Sequence, residues 1–317
     1  MNRFVKTLGP LTGLAFVFGL FALLRPQTFA TLDNIELMML QTAVVGTGAL
    51  GMTIVIISGG IDLSVGSVVA LSTVVIALLL NAGFPPLLAA LGGIAVGALC
   101  GVLIGGLITR LRLAPFIVTL AMWGALRGVA KGLAADQIVI APATWLNKML
   151  NVLTEGQQWM LVPPGVWLML ILAAFVAAGL RYTKLGRHIV AVGSNEQTAR
   201  LCGIPVERTK ITVYLLGSAF AALAGVLQFS YLTVGDPTTG NGMELDIIAA
   251  VVIGGASLAG GEGTVLGSLV GALIMTVVAN GSTKMEFPNW VQEIVTGAII
   301  IIAVALDQWR HHRSTNR

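Results

Sequence analysis

Long apolar runs separated by short polar clusters dominate this chain. Ten of them approach the roughly 17–25 apolar residues that a helix needs to cross a bilayer. They lie near residues 8–24, 37–57, 65–82, 87–108, 114–134, 164–180, 211–232, 244–258, 264–281 and 291–306. The apolar–polar alternation of a barrel strand is absent. Backbone groups in lipid must be satisfied within their own segment, so the runs predict helices. The eighth run is short and is broken by a glycine motif. The expected fold is all-α: a polytopic membrane protein with about ten transmembrane helices in one transmembrane domain, 1–317. Met1-Asn2-Arg3-Phe4-Val5-Lys6 before Leu8–Leu24 has the look of a signal peptide. Leu23-Leu24-Arg25-Pro26 is a poor cleavage site, however, so this run is read as the first membrane helix.

Composition supports the same class. Of 317 residues, 56% are hydrophobic and 10% charged, and the mean hydropathy is +0.92. A soluble domain carries about 25% charged residues, so lipid rather than water must cover most of this surface. Basic residues favour cytoplasmic loops. With the N-terminus inside, the inner side holds Arg3, Lys6, Arg110, Arg112, Arg181, Lys184, Arg187, Arg200, Arg208, Lys210, Arg310, Arg313 and Arg317. The outer side holds Arg25, Lys148 and Lys284, and Arg127 and Lys131 fall in the outer part of the fifth helix. Both termini are therefore expected in the cytoplasm. Anionic headgroups account for the net charge of +4, with no nucleic acid needed.

The pattern Gly-Gly-x-x-Leu-x-x-Gly occurs twice in these apolar stretches. It runs Gly59-Gly60-Ile61-Asp62-Leu63-Ser64-Val65-Gly66 and again Gly254-Gly255-Ala256-Ser257-Leu258-Ala259-Gly260-Gly261. Glycine weakens a helix interior. In transporters, glycine-interrupted segments at corresponding places point to the substrate path. The charge count puts both copies on the same side, each after an outside-to-inside helix. It does not distinguish the membrane surface from its interior. Asp62 fits either a substrate role or a helix N-cap.

The longest cytoplasmic connection is 181–210. Ser194 followed by Gln197 predicts a capping-box start, and Gly203 with Pro205 a helix stop. A short capped helix there suits docking to a cytoplasmic partner, and equally a helix lying on headgroups. The longest external loop, 135–163, contains Ala143–Leu153, spaced for an interfacial helix with Trp145 as an anchor. It fits a docking surface or a cap that seals the helix ends. In the fifth helix Gly124, Gly128 and Gly132 repeat every four residues, as in close helix contacts. Arg127 sits beside them and lines a pathway mouth or snorkels outward.

Catalytic chemistry finds little support. There is no Gly-x-x-x-x-Gly-Lys-Ser/Thr phosphate loop, and His188, His311 and His312 form no metal or nucleophile constellation. Cys100 and Cys202 lack metal-ligand spacing. Carboxylates near the apolar runs are Asp62, Asp246 and Glu262. Uncharged polar residues within them are Gln41, Thr42, Thr47, Thr53, Ser58, Thr119, Gln228 and Asn280, with Trp123 among them. That set suits a neutral hydroxylated solute better than an ion; hydrogen bonding between helices is the competing explanation.

Three stretches carry a resemblance: Gly59 to Ser67, then Leu185-Gly186-Arg187 with Ala191 to Arg200, then Glu244 to Gly255 continuing through Gly261. Together they resemble the permease (transmembrane) subunits of ribose-type sugar ABC importers, in the branched-type binding-protein-dependent transport family. Cys202 stands where Ser or Ala is expected. The resemblance implies import of a monosaccharide (a ribose-like pentose, hexose or polyol) across a bacterial inner membrane. It implies four kinds of partner besides lipid: a cytoplasmic ATP-binding cassette ATPase, a periplasmic sugar-binding protein, a second permease copy or paralogue, and the sugar. ATP and Mg would belong to the ATPase, leaving this chain without cofactor or catalytic residues. The family's coupling loop maps onto Gly193–Pro205, which brings forward Ser194, Asn195, Glu196, Ala199, Arg200, Gly203 and Ile204 as ATPase contacts. Pathway or gate candidates are Gly59, Gly60, Asp62, Ser64, Gly66, Gly254, Gly255, Ser257, Gly260, Gly261, Arg127 and Trp123. The alternative is a gradient-driven secondary carrier or facilitator for a small neutral solute. A membrane-embedded enzyme is a third reading, and it lacks a catalytic constellation.

Overall fold

A helix forms at each of the ten apolar runs, with two more in the connection 181–210. In chain order they are α1 (Arg3–Leu24), α2 (Leu32–Ile57), α3 (Val65–Asn81), α4 (Pro86–Arg110), α5 (Pro115–Leu133), α6 (Pro164–Tyr182), α7 (Lys184–Ser194), α8 (Glu196–Leu201), α9 (Val206–Leu232), α10 (Met243–Ile253), α11 (Val265–Lys284) and α12 (Asn289–Thr315). This computed structural model describes residues 3–153 and 155–315. Met1, Asn2 and Arg317 lie outside the described residues, as do the side chains of Arg3, Lys6, Arg310, His311, His312 and Arg313. Helices α2, α4, α5, α6, α9 and α11 are long and apolar enough to cross a membrane; Gly9–Leu24, α3 and Asn289–Ala305 are shorter apolar helices.

Local chemistry fixes many of the ends. Proline opens α4, α5 and α6, where its missing N–H costs nothing and its fixed φ suits the first turn. Thr31 caps α2 by accepting from the Asn34 amide at 3.3 Å.

The centre of the molecule is α9, which packs against α2, α3 and α4. The most membrane-like stretch of α2 is 89% buried, so this helix is enclosed by protein rather than lipid. Gly93, Gly97, Gly101 and Gly105 form one stripe on α4; Gly93 lets α3 approach, and the other three let α9 approach. A Cβ on Gly101 would sit 2.8 Å from Leu215 Cα, and one on Gly105 2.8 Å from Ile211 Cα. By contrast, Gly124, Gly128 and Gly132 of α5 have nothing within 4 Å. Buried amides also tie helices together. Asn34 Nδ2 donates to Asn280 Oδ1 at 2.9 Å, and Asn280 Nδ2 returns a bond to Asn34 Oδ1 at 3.1 Å. Large apolar side chains stand exposed on the outer helices, including Leu99 of α4, Phe116 of α5 and Phe175 of α6.

Several expectations need correction. Neither glycine motif lies in a helix interior: each forms the loop between two helices, and only the Val65-Gly66 end of the first enters the next helix. Gly59, Gly255, Gly260 and Gly261 take positive φ, the left-handed region that glycine alone enters freely. The eighth segment is helical only as far as Ile253, an 11-residue helix. Before it the chain neither continues α9 nor leaves the bundle. A two-residue strand, β2 (Val234–Gly235), pairs antiparallel with β1 (Val139–Ile140). An irregular stretch, 236–242, then runs back alongside α3. Asp236 meets Thr73 through hydrogen bonds of 3.3 Å, and a Cβ on Gly240 would sit 2.9 Å from the Gly66 carbonyl oxygen. From Thr73 to Gly66 this is a descent of about 10 Å at 1.5 Å per residue.

The connection 181–210 is more helical than expected, because α7 precedes the short helix. Ser194 is not the cap. It is the last residue of α7, and its hydroxyl donates to the Val190 carbonyl at 2.8 Å. Asn195 caps α8 instead, accepting from the Thr198 amide at 2.8 Å. The stop at Gly203, φ +79°, lies where the sequence placed it. The stretch 143–153 holds only a 3-10 turn at Trp145–Lys148, closed by Thr144 and Asn147. Leu146 and Leu150 are buried, and the Leu150 amide donates to Ser230 Oγ at 2.9 Å, so this loop covers the end of α9.

Candidate functional site

The two glycine motifs and the connection 181–210 converge on one point. The Gly261 amide donates to the Ile57 carbonyl at 2.8 Å, joining the second motif to the last turn of α2. Gly193, near the end of α7, fills the space beside them. A Cβ there would collide with the Ile57 carbonyl and lie 2.8 Å from the Gly261 nitrogen. A Cβ on Gly260 would lie 2.9 Å from Gly59 Cα. Three backbones thus touch with no side chain between them, which only glycine permits. Gly254 is set against Gly267 of α11 in the same backbone-to-backbone manner.

Asp62 is 1% exposed. Its Oδ1 accepts from the Ser64 amide at 2.8 Å and the Ser64 hydroxyl at 2.6 Å, an Asx turn that leads into α3. It stands two residues ahead of Ser64, the N-cap position of α3, so Asp62 is not the cap. Its second oxygen has no hydrogen-bond partner among the described residues, and neither has the nearby Tyr214 hydroxyl, which lies 2.5 Å from where Gly60 would carry a Cβ.

Arg127 turns inward. Its Nη1 donates to the Pro237 carbonyl at 3.0 Å and the Thr239 carbonyl at 2.5 Å. Gln228 adds a bond to the Thr239 hydroxyl at 2.9 Å. The two Arg127 bonds satisfy backbone carbonyls of the irregular stretch, which inside a membrane must find their partners in protein. Trp123 lies on the same helix, and its carbonyl accepts from Ser67 at 2.7 Å. Buried Glu244 completes the group beside Gly66. Ser64 and Gly66 thus belong to the base of α3, while Trp123 and Arg127 brace it and its neighbour from α5.

Helix α8 is held by both chemistry and packing. Ala199 and Ile204 pack with Val192 of α7 and Val206 of α9. Arg200 bridges to Glu207 at 2.5 Å and Lys210 to Glu196 at 2.6 Å. The Glu207 hydrogen bond pushes the Arg200 guanidinium further up from its ordinary value. Two open grooves flank the helix. One, of about 520 Å³, is walled by Arg112, Arg200 and Lys210 among others; the second, about 560 Å³, reaches Gly59, Gly193 and Ala259. Leu201 points away from the protein, 88% exposed.

Three of these residues were not singled out beforehand. Tyr214 offered one signal, a polar-tipped aromatic in the middle of an apolar run. Gly193 and Glu244 stood inside the resembling stretches, but their importance is a matter of contacts between segments.

Residues 34–304 match the family model described as the permease component of the branched-chain amino acid transport system. The chain belongs to this family. Among similar proteins is the ribose import permease protein RbsC of Escherichia coli (strain K12), 39% identical over 94% of this chain and 92% of that protein. The L-arabinose ABC transporter permease protein AraH of Azospirillum brasilense is 36% identical over 94% and 86%. The fructose import permease protein FrcC of Rhizobium meliloti is 36% identical over 95% and 84%. No solved structure matches the chain. Relatives and apolar helices together make this a multi-pass membrane protein and a permease subunit of the sugar ABC importer kind.

Proposed function

We propose that this chain forms the membrane path of an ATP-driven importer that carries a monosaccharide into the cytoplasm of a bacterium through its inner membrane. The observation that carries this reading is the junction of Gly59, Gly193 and Gly260, because it links the cytoplasmic helices to both breaks in the membrane helices. In this reading α8 and its two grooves receive an ATP-binding cassette ATPase, with Asn195, Glu196, Arg200 and exposed Leu201 at the contact. ATP and Mg are bound by that partner. A push on α7 and α8 reaches the loops 58–64 and 254–264 through main chain alone. Arg127 and Glu244 brace the irregular stretch while those loops move.

The remaining assignments follow from the same reading. About ten helices cross the bilayer with both termini inside, a second permease copy or paralogue completes the path, and a periplasmic binding protein delivers the sugar. The names of the relatives support ribose, arabinose or fructose as the substrate class.

The decisive measurement is ATP hydrolysis by the chain reconstituted with its ATPase and binding protein. Hydrolysis is expected to rise when the binding protein is loaded with its sugar. No stimulation by any pentose, hexose or polyol would sink the assignment. A gradient-driven carrier is separated by deleting 194–203: unchanged uptake would favour it.

A further inference from the structure

Helices α2, α10 and α11 line a cleft of about 450 Å³ whose walls include Gln41, Asp246, Thr276, Asn280 and Lys284. That volume lies within the ~300–1,000 Å³ of small-molecule sites. The contrast with the other outer faces is sharp. On α4, α5 and α6, Leu99, Phe116 and Phe175 are 67%, 53% and 70% exposed, as suits hydrocarbon. A carboxylate, two amides and an ammonium around one cleft do not suit it; at bilayer depth such groups face water or protein.

Thr276 gives the cleft a more specific character. Thr42, Thr47 and Thr53 each spend their hydroxyl on the carbonyl four residues back, at 2.7, 2.7 and 2.6 Å. Thr276 is equally enclosed, 4% exposed, yet its hydroxyl has no partner among the described residues. An enclosed hydroxyl without a partner is costly unless something else bonds it. Asp246 lies in the first turn of α10, just after the irregular stretch, and Gln41 stands on α2. Lys284 at the far end of α11 balances the single carboxylate, so the cleft carries no formal charge that would favour an ion.

We infer that this cleft is a hydrogen-bonding subsite for a neutral, polyhydroxylated solute on its way across the membrane. The Asp246 carboxylate accepts from solute hydroxyls, while the Thr276 hydroxyl and the Gln41 amide each donate or accept. The inference rests on the transport reading above and adds where and how the solute is held.

Two measurements test it, and one needs no transport. In a Cys202→Ser background, single cysteines are placed at Gln41, Ala279 and, as a lipid-facing control, Leu99. Membranes containing the full chain with its partners are treated with a charged methanethiosulfonate. Gln41→Cys and Ala279→Cys are expected to react at least tenfold faster than Leu99→Cys; equal rates would overturn the aqueous face. In the reconstituted complex, ATP-driven uptake of ribose, L-arabinose and fructose is measured. Asp246→Asn, nearly isosteric, is expected to lower uptake of the transported sugar at least tenfold. Thr276→Val is expected to lower it about fivefold, and Thr276→Ser to restore it. Uptake unchanged in Asp246→Asn and Thr276→Val would overturn the subsite. Failure of the unaltered complex to move any sugar would defeat the transport reading, with the labelling rates still deciding whether the cleft holds water.

Discussion

The amide of Gly261 donates to the carbonyl of Ile57 at 2.8 Å, across a sequence separation that spans most of the fold. Gly193 closes the gap beside that bond so tightly that a single methyl group would strike the same carbonyl. Gly193→Ala must therefore push α7 away from both loops. The expected outcome is a chain that still inserts and assembles but whose ATP-driven uptake falls at least tenfold. Uptake in proteoliposomes, normalised to inserted protein, checks it, and uptake at the unaltered level would count against main-chain coupling.

Asp62 serves its own turn first. Asparagine keeps an oxygen at the Oδ1 position, whereas alanine strands the buried amide and hydroxyl of Ser64. Stranded buried donors cost about 1–3 kcal/mol. Asp62→Ala is thus expected to lower the thermal midpoint clearly, and Asp62→Asn to change it little, in detergent-solubilised protein. Equal loss in both variants would show that the charge itself is needed.

Arg127 holds two carbonyls of the stretch 236–242. Replacement by methionine removes both bonds while keeping most of the apolar stem. Bonds to charged groups contribute about 1.5–3 kcal/mol. Arg127→Met should destabilise the chain by roughly that amount, and hydrogen exchange should accelerate first at 236–242. Uniform acceleration across the molecule would contradict a local brace.

The ion pairs around α8 are exposed, and such pairs add little to stability. Arg200→Ala is expected to leave the thermal midpoint unchanged within error. Its effect should fall on the partner, weakening ATPase binding at least fivefold in a pull-down titration. A drop in thermal stability with unaltered ATPase binding would reverse the assignment.

Much of this architecture is legible in the sequence because apolar run length is a strong local signal. Each of the ten runs is a helix, and Gly203 with Pro205 ends α8 as their backbone preferences require. What escaped lies between segments. The backbone contacts of Gly193 with Ile57 and Gly261 join three distant parts of the chain, and no periodicity reports them. The glycine stripe at 93, 97, 101 and 105 was visible as a spacing, yet so was the one at 124, 128 and 132, and only the first finds a partner within this chain. At Ser194 and Asn195 two good caps stand side by side; the choice went to Asn195 because α7 runs on through Ser194. The stretch 236–242 was hidden for another reason: an irregular segment has no period to read, and its partners, Arg127 and Gln228, come from other helices.

The amides of Asn34 and Asn280, each giving and receiving one bond, carry a consequence for the history of this chain. Either change alone leaves an enclosed amide half-satisfied, which costs more than the pair is worth, whereas a matched apolar pair of similar size is nearly neutral. The route from one solution to the other passes through a worse intermediate. These two positions are therefore expected to evolve in step, each holding the other in place across descendants in which the surrounding leucines and valines exchange freely.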